Sequence, residues 1–185
     1  MKTGCVLFLF VLMVFIINCD KDEPTQPGTD YSNYFPLEID NKWYYYHVGV
    51  PDALVIYRIW DTATYDNKIY SLFGNKVESS DLFRKDDKGN IYKKRPDKEL
   101  LWFAFSEDHG GSYEVKLSDK FIYTVKVEKS LTIEYDGHKY VDCVRFTFDA
   151  PNIKDEEMVY VFAPDVGIVQ MLGAWVSLYL DSYEF

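Results

Sequence analysis

Short runs of β-branched and aromatic residues, separated by clusters of Gly, Asp and Asn, fill the chain from Tyr31 to its end. This pattern is typical of β-strands joined by turns, and the sequence shows no apolar stripe at the spacing of a helix. Because turn signals join most of the runs, we expect antiparallel pairing. We predict the strands Trp43–Val48, Leu54–Asp61, Ile69–Phe73, Asp81–Lys85, Ile91–Lys94, Leu100–Phe105, Ser112–Leu117, Phe121–Tyr135, His138–Phe148, Met158–Phe162, Ile168–Leu172 and Val176–Tyr183.

The amount of chain available predicts one domain. The 185 residues, less a leader and a linker, match the usual size of a single domain. Hydrophobic residues make up 48% and aromatic residues 18%, which is enough apolar surface to form a core. We therefore predict an all-β fold, a single antiparallel domain whose meander curls into a barrel or half-barrel, lipocalin-like or LolA-like in outline.

The clearest turn is Asp136-Gly137, which supplies the two positive-φ positions of a type I′ hairpin. A two-residue turn at this place fixes the register of the flanking strands. Glu134 then lies opposite Lys139 and Glu128 opposite Arg145, so that two pairs of opposite charge mark the solvent face.

Two polar residues interrupt the apolar face of the same hairpin, Lys129 on the first strand and Asp142 on the second. The simpler interpretation is a β-bulge near Lys129 or a solvated rim, because a strand as long as Phe121–Tyr135 usually bends or breaks. The alternative is a polar spot inside an apolar cavity, where Lys129 and Asp142 orient a ligand.

The first residues have the layout of an export signal. Lys2 precedes an uncharged, apolar run from Thr3 to Asn18. As a helix this run covers only about 24 Å, short of the roughly 30 Å membrane core, which favours a signal peptide over a spanning helix. The small residues of an ordinary cleavage site are missing, and Ile16-Ile17-Asn18-Cys19 resembles the lipobox of bacterial lipoproteins, with Asn18 in place of the usual Gly or Ala.

The lipobox resemblance implies a lipoprotein signal peptide over 1–18, a lipidated Cys19 followed by a flexible acidic tether over 19–33, and an extracytoplasmic β-rich domain over 34–185. Multiple acyl chains on Cys19 would hold the protein stably on a membrane. The acids after Cys19 resemble surface-export tags of some Gram-negative lipoproteins, whereas Asp20 beside the cysteine resembles an inner-membrane retention tag. We expect a cell-envelope location, with the outer membrane favoured over the inner in a Gram-negative host.

Charge and motifs exclude several classes of function. The formal net charge of −10 and the lack of a basic stripe disfavour nucleic acid as a partner. The sequence carries no nucleophile elbow, phosphate-binding loop, Cys-x-x-Cys or His-Glu-x-x-His motif, and its three histidines are scattered, so we expect a non-enzymatic protein without cofactor or metal. Apart from Cys5 in the leader and Cys19, only Cys143 remains, which leaves stability to the core rather than to disulfides.

The aromatic content is the one compositional feature with a functional implication. Tyr and Trp combine an apolar ring with a polar edge, which suits them to cores and to ligand pockets alike. We predict binding of an apolar or amphipathic ligand within the curved sheet; the alternative is a structural or surface-interaction lipoprotein that binds protein or glycan. The candidate ligand-binding residues are Trp43, Tyr45, Tyr57, Trp60, Trp102, Trp175, Lys129 and Asp142.

Two segments near the ends of the domain resemble motifs of a family of uncharacterised bacterial lipoproteins. Residues 34–45 contain Phe-Pro-Leu followed by Asn41, Trp43 and Tyr45, and Asp40 stands where the family has glycine. Residues 160–169 contain Ala-Pro-Asp-Val-Gly, similar to the family's closing motif between two strands. The resemblance implies a β-rich extracytoplasmic fold and brings no established activity.

Overall fold

The computed structural model describes residues 29–50, 53–151, 153 and 155–185. The predicted signal peptide and the predicted lipidation site Cys19 lie outside these residues. All twelve predicted strands are confirmed. They are β1 (Lys42–His47), β2 (Leu54–Tyr65), β3 (Lys68–Gly74), β4 (Asp81–Lys85), β5 (Ile91–Lys94), β6 (Glu99–Phe103), β7 (Ser112–Ser118), β8 (Phe121–Tyr135), β9 (His138–Asp149), β10 (Met158–Ala163), β11 (Gly167–Gly173) and β12 (Val176–Glu184), with one 3₁₀ turn at Val77–Ser79.

The strands form one antiparallel sheet that is nearly a closed barrel, as predicted. Every pairing in it joins neighbours in the chain, except that β12 pairs with β1. This pairing brings both ends of the domain together, for example Lys42 opposite Glu184. Strands β6 and β7 are the two edge strands of the sheet. They do not pair with each other, so the barrel is interrupted at one seam, between β6 and β7.

Side chains close the seam between β6 and β7. The Tyr113 hydroxyl donates to the carbonyl of Trp102 at 2.6 Å and accepts from the amide of Ala104 at 3.1 Å. The Lys98 ammonium donates to the carbonyls of Lys116 and Leu117 at 2.8 and 3.0 Å. At this seam, side chains supply hydrogen bonds to backbone groups that would bond to a neighbouring strand elsewhere in the sheet.

Aromatic side chains fill most of the barrel interior. Phe103 packs on Phe162 with ring centroids 4.8 Å apart and on Phe146 at 5.1 Å, which joins β6 to β10 and β9 across the barrel. These edge and tilted geometries are the ones that aromatic quadrupoles favour. The largest fully buried side chains include Trp43, Tyr45, Phe35, Phe103, Phe105, Phe146, Phe148 and Phe162.

The segment before β1, residues 31–37, closes one end of the barrel, which we call the plugged end. Phe35 is fully buried and packs on Phe73 and Phe162 at centroid distances of 5.2 and 5.5 Å. Lys85 donates to the Phe35 carbonyl at 3.2 Å. The β10–β11 connection lies at the same end, since the Asp165 amide donates to the Asn33 carbonyl at 3.0 Å.

The β8–β9 hairpin has the predicted register and two bulges. Glu134 lies opposite Lys139, and Glu128 lies opposite Arg145 with a 3.4 Å ion pair. Between these pairs the register shifts once on each strand, and Ser130 and Asp142 take φ of 56° and 54°. The extra residue in β8 is offset by one in β9, which restores the register beyond them.

The bulges let the end of this hairpin bend over the sheet. The hydroxyl of Tyr135 lies 3.0 Å from the Val169 carbonyl and 3.1 Å from the Leu180 carbonyl. These acceptors belong to β11 and β12, which are not the neighbours of β8 in the sheet. The predicted bulge near Lys129 is therefore confirmed, and its role is to fold the hairpin tip across the barrel wall.

Candidate functional site

A cleft lies at the end of the barrel opposite the plug, which we call the open end. It has a volume of about 210 Å³. Its walls are formed by the open-end residues of β10 and β11, the β11–β12 turn, the residues before β10 and Tyr57 of β2. Strand β11 runs from the plugged end at Gly167 to the cleft at Gly173, and seven extended residues span roughly 20 Å. The cleft is lined by Tyr57, Asp155, Glu156, Glu157, Met158, Tyr160, Met171, Leu172, Gly173, Ala174, Trp175 and Val176.

The cleft continues inward into a smaller cavity of about 140 Å³. Both spaces are lined by Tyr57, Tyr160 and Met171, whose side chains form the boundary between them. The inner cavity reaches Asp81 at the start of β4 and Trp102 near the end of β6, on the other side of the barrel. The alternation of inward and outward residues along β2, β10 and β11 places these side chains in the interior.

Two phenol groups face this space with little protein hydrogen bonding. The Tyr160 hydroxyl donates to the sulfur of Met158 at 3.9 Å, and a thioether is a weak acceptor. Burial raises the pKa of Tyr160, and burial together with the Asp81 carboxylate raises the pKa of Tyr57. Both phenols are therefore neutral at physiological pH and can donate a hydrogen bond to a ligand.

Carboxylates surround the opening. Asp155, Glu156 and Glu157 line the cleft, and Asp81 lines the inner cavity. Asp81 is already paired, because the Lys93 ammonium lies 2.8 Å from it and also 4.5 Å above the ring of Trp102. The three residues at the opening are thus the acidic groups best placed to meet a ligand.

A solved structure with a low similarity to this chain is that of a predicted lipoprotein from Parabacteroides distasonis ATCC 8503. The two are 12% identical with a TM-score of 0.40, over 84% of this chain and all of that one. No protein-family model and no curated protein matches the chain.

Three of the predicted ligand-binding residues line the cleft or the inner cavity. Tyr57 lines both cavities, Trp102 lines the inner one, and Trp175 stands on the β11–β12 turn with 91% of its surface exposed. Tyr160 and Met171, which complete the cleft, are not among the residues predicted from the sequence. The alternation in their strands could have placed both side chains inside, but not beside Tyr57.

Trp43 and Tyr45 lie in the packed core instead. Both are fully buried, and their polar atoms bond to the backbone of the closing motif. The Trp43 indole donates to the Val166 carbonyl at 2.6 Å, and the Tyr45 hydroxyl donates to the Ile168 carbonyl at 2.8 Å. The two motifs that resemble the lipoprotein family therefore contact each other, and both side chains serve to join β1 to β11.

Trp60 lies away from the cleft, where its indole donates to the Gly74 carbonyl at 2.9 Å and Arg58 stacks 4.4 Å above its ring. These contacts join β2 to the end of β3. The predicted binding role of Trp60, like that of Trp43 and Tyr45, stays a prediction, and none of the three lines the cleft or the inner cavity.

Lys129 and Asp142 both line a polar depression of about 380 Å³ near the plugged end. The Lys129 ammonium donates to the Phe105 carbonyl at 2.9 Å and lies 4.4 Å above the Tyr31 ring. Asp142 is exposed, and its carbonyl accepts from the Tyr34 hydroxyl at 2.7 Å. The two side chains do not share an apolar cavity, because the bulges turn Asp142 to solvent and direct Lys129 to the N-terminal segment. Their ligand-binding role stays a prediction.

Three further features concern a membrane-spanning helix, a metal site and the thiol of Cys143. Among the described residues, 29–50, 53–151, 153 and 155–185, no helix has the length and apolarity to cross a bilayer. The same residues contain no cluster of His, Cys, Asp and Glu arranged to hold a metal ion. Cys143 is buried, and burial raises its pKa to about 11, so its thiol is protonated at neutral pH.

Proposed function

We propose that this protein is a lipid-anchored envelope lipoprotein that holds a small apolar or amphipathic molecule in the cleft at the open end. One observation carries the proposal: in an interior otherwise filled by aromatic side chains, the space left over is walled by Tyr57, Tyr160, Met158 and Met171. Apolar walls with a few hydrogen-bonding groups are the usual composition of ligand pockets.

The proposed location on a membrane is inferred from the sequence. Cys19 follows an apolar leader and would carry the acyl chains that hold the domain on the membrane. The proposed role is binding rather than catalysis, in line with the lack of recognised enzyme motifs in the sequence.

The size of the space limits the ligand. Pockets for drug-sized molecules measure about 300–1,000 Å³, whereas the cleft and the inner cavity are about 210 and 140 Å³. Together they suit a molecule of one ring or one short chain, with its polar end at the opening. An adjoining open groove of about 520 Å³ at Trp175 extends the cleft outward, so the size limit applies to the part of the ligand that enters the cleft.

Native mass spectrometry of the lipoprotein purified from its own envelope tests the proposal. We expect a noncovalent small molecule that dissociates on activation. Gly173→Leu should remove it, because a Cβ at residue 173 meets only ordinary contacts, 3.4 Å from the Glu157 carbonyl and 3.7 Å from Met158, and the longer side chain then fills the cleft. Val141→Leu, at an exposed position of β9 outside the cleft, is the matched control. Equal occupancy in the two variants would contradict the proposal.

Trp175 supports a second candidate, a surface-interaction lipoprotein. Its exposed indole stands beside the exposed apolar residues Val176 and Val48, and the Val48 amide bonds to the Ser177 carbonyl at 2.9 Å. Exposed tryptophan suits stacking on sugar rings or on a protein surface. Under this candidate Trp175→Ala abolishes retention on purified surface polysaccharide, whereas Trp60→Ala does not. If both variants are retained as well as the native protein, glycan binding through Trp175 is excluded.

A further inference from the structure

We propose that the ligand of the open-end cleft carries a positive charge, as an organic ammonium whose apolar part enters the cleft. This inference rests on the proposed binding function and deepens it by naming the class of ligand. It is argued from the charges and the ring faces that line the space.

The charge of the lining has one sign. Among the described residues that line the cleft, the inner cavity and the adjoining groove at Trp175, there are four carboxylates and no lysine or arginine. Three of the four, Asp155, Glu156 and Glu157, follow one another at the opening. An anionic ligand would meet repulsion there, whereas a cation gains from a field focused by low-dielectric walls.

The nearby cations do not reverse this sign. The Lys93 ammonium pairs with Asp81 and lies over the ring of Trp102. It therefore does not neutralise the three carboxylates at the opening. In the sequence, Lys154 is the one basic residue beside the three acids. The segment from Lys154 to Glu157 therefore keeps a formal charge of −2.

The rings and sulfur atoms suit the same ligand. Tyr57 and Tyr160 line the cleft with phenol rings, and Trp175 adds an indole at its edge. Ammonium groups are attracted to aromatic faces, most strongly to tryptophan, and the attraction grows where water is excluded. The polarizable thioethers of Met158 and Met171 complete a wall that accommodates an alkylated cation without requiring a hydrogen bond.

Methionine methyl NMR on the full lipoprotein in zwitterionic nanodiscs tests this inference directly. Of the four methionines, Met1 and Met13 precede Cys19, so the processed protein keeps only Met158 and Met171, both in the cleft. The probes are phenyltrimethylammonium, its neutral carbon isostere tert-butylbenzene and benzenesulfonate, each at a free concentration set by equilibrium dialysis. Met158→Leu and Met171→Leu assign the two signals.

We expect phenyltrimethylammonium to shift both methyl signals and to bind about tenfold more tightly than tert-butylbenzene, with benzenesulfonate weakest. Equal or tighter binding of the neutral or the anionic probe would overturn the charge inference and leave the binding cleft in place. If none of the probes shifts either signal, the proposed function fails, and this inference fails with it.

Paired charge variants separate the local field from the overall charge. Glu156→Gln with Glu157→Gln should weaken phenyltrimethylammonium binding by roughly threefold or more and leave tert-butylbenzene binding unchanged. Glu134→Gln with Asp119→Asn removes two acids elsewhere, on the β8–β9 hairpin and in the β7–β8 turn, and should have little effect. An equal loss of affinity in both pairs would overturn the inference, because it would reflect only the net charge of the protein.

Discussion

The indole nitrogen of Trp43 donates a hydrogen bond of 2.6 Å to the carbonyl oxygen of Val166, although the two residues lie at opposite ends of the domain sequence. The contact is buried and lies where β1 and β11 approach each other across β12. It ties the opening motif to the closing motif and helps to hold the barrel closed on this side.

Trp43→Phe should reduce the free energy of unfolding by about 2–4 kcal/mol. The substitution removes the indole donor, leaves the Val166 carbonyl without a partner and opens a cavity beside Phe73. Denaturant unfolding followed by circular dichroism measures the change. Trp175→Phe, at an exposed position, should unfold like the native protein, and a similar loss in both variants would contradict the explanation.

Gly167→Ala should destabilise the protein more than Gly110→Ala. Both glycines have positive φ, 95° and 79°, so that both substitutions introduce backbone strain of about 1 kcal/mol or more. Only at Gly167 does the new Cβ also meet the Trp43 indole, at 3.0 Å, whereas at Gly110 it meets nothing within 4 Å. Thermal unfolding of the two variants separates the effect of the contact with Trp43 from the backbone strain that both share. Equal melting temperatures would show that this contact does not destabilise the protein.

Tyr113→Phe should weaken the seam by about 2 kcal/mol. Its hydroxyl satisfies the Trp102 carbonyl and the Ala104 amide, and the substitution leaves both without their partner. Hydrogen exchange should accelerate at Ala104, directly after β6, before it does in β6 itself, as a local opening of the seam. Tyr44→Phe is the control, because its hydroxyl bonds to the exposed Glu184 carboxylate. Exchange that stays slow at Ala104 would show that the seam does not depend on Tyr113.

Glu99 should make stability depend on pH in the acid range. Arg84, Lys68 and Tyr70 surround its carboxylate, and the hydrogen bonds from Arg84 come first among the causes that lower its pKa from 4.5 to about 2. A lowered pKa in the folded state means that the stabilisation is fully present above pH 4.5 and is lost as the pH falls towards 2.

The variant Glu99→Gln should lose about 1–3 kcal/mol at neutral pH and show a flatter stability profile between pH 4.5 and 2. Urea unfolding at a series of pH values measures both effects. Glu134→Gln removes an exposed pair with Lys139 and should change stability by less than about 0.5 kcal/mol. A profile as steep as that of the native protein in Glu99→Gln would place the pH dependence on other groups.

The strands could be predicted because each is a local pattern of alternating residues ended by a turn. The least accurate boundary was that of β2, which we expected to stop at Asp61 and which continues to Tyr65. The turn after it, Asp66-Asn67, takes φ of 50° and 60°, as type I′ geometry requires, but it lacks the glycine that marks such hairpins. A bulge between Ile59 and Thr62 further obscures the alternation there.

The cleft could be predicted only in part. Tyr57, Trp102 and Trp175 were chosen for their residue type, and the same criterion selected Trp43 and Tyr45, which are core residues. What separates the two groups is the pairing of β12 with β1 and the aromatic contacts across the barrel, which bring distant segments together. No local pattern in the sequence encodes those contacts.

The plug over residues 31–37 has a consequence for how the barrel would stand on a membrane. The chain enters the barrel at this end, beside Lys129 and Pro164, while the cleft lies at the far end of β11. If Cys19 is acylated, the anchor joins the barrel at the plugged end, so that the attachment point and the mouth of the cleft lie at opposite ends of β11. A ligand could then enter the cleft without displacing the segment that leads to the anchor.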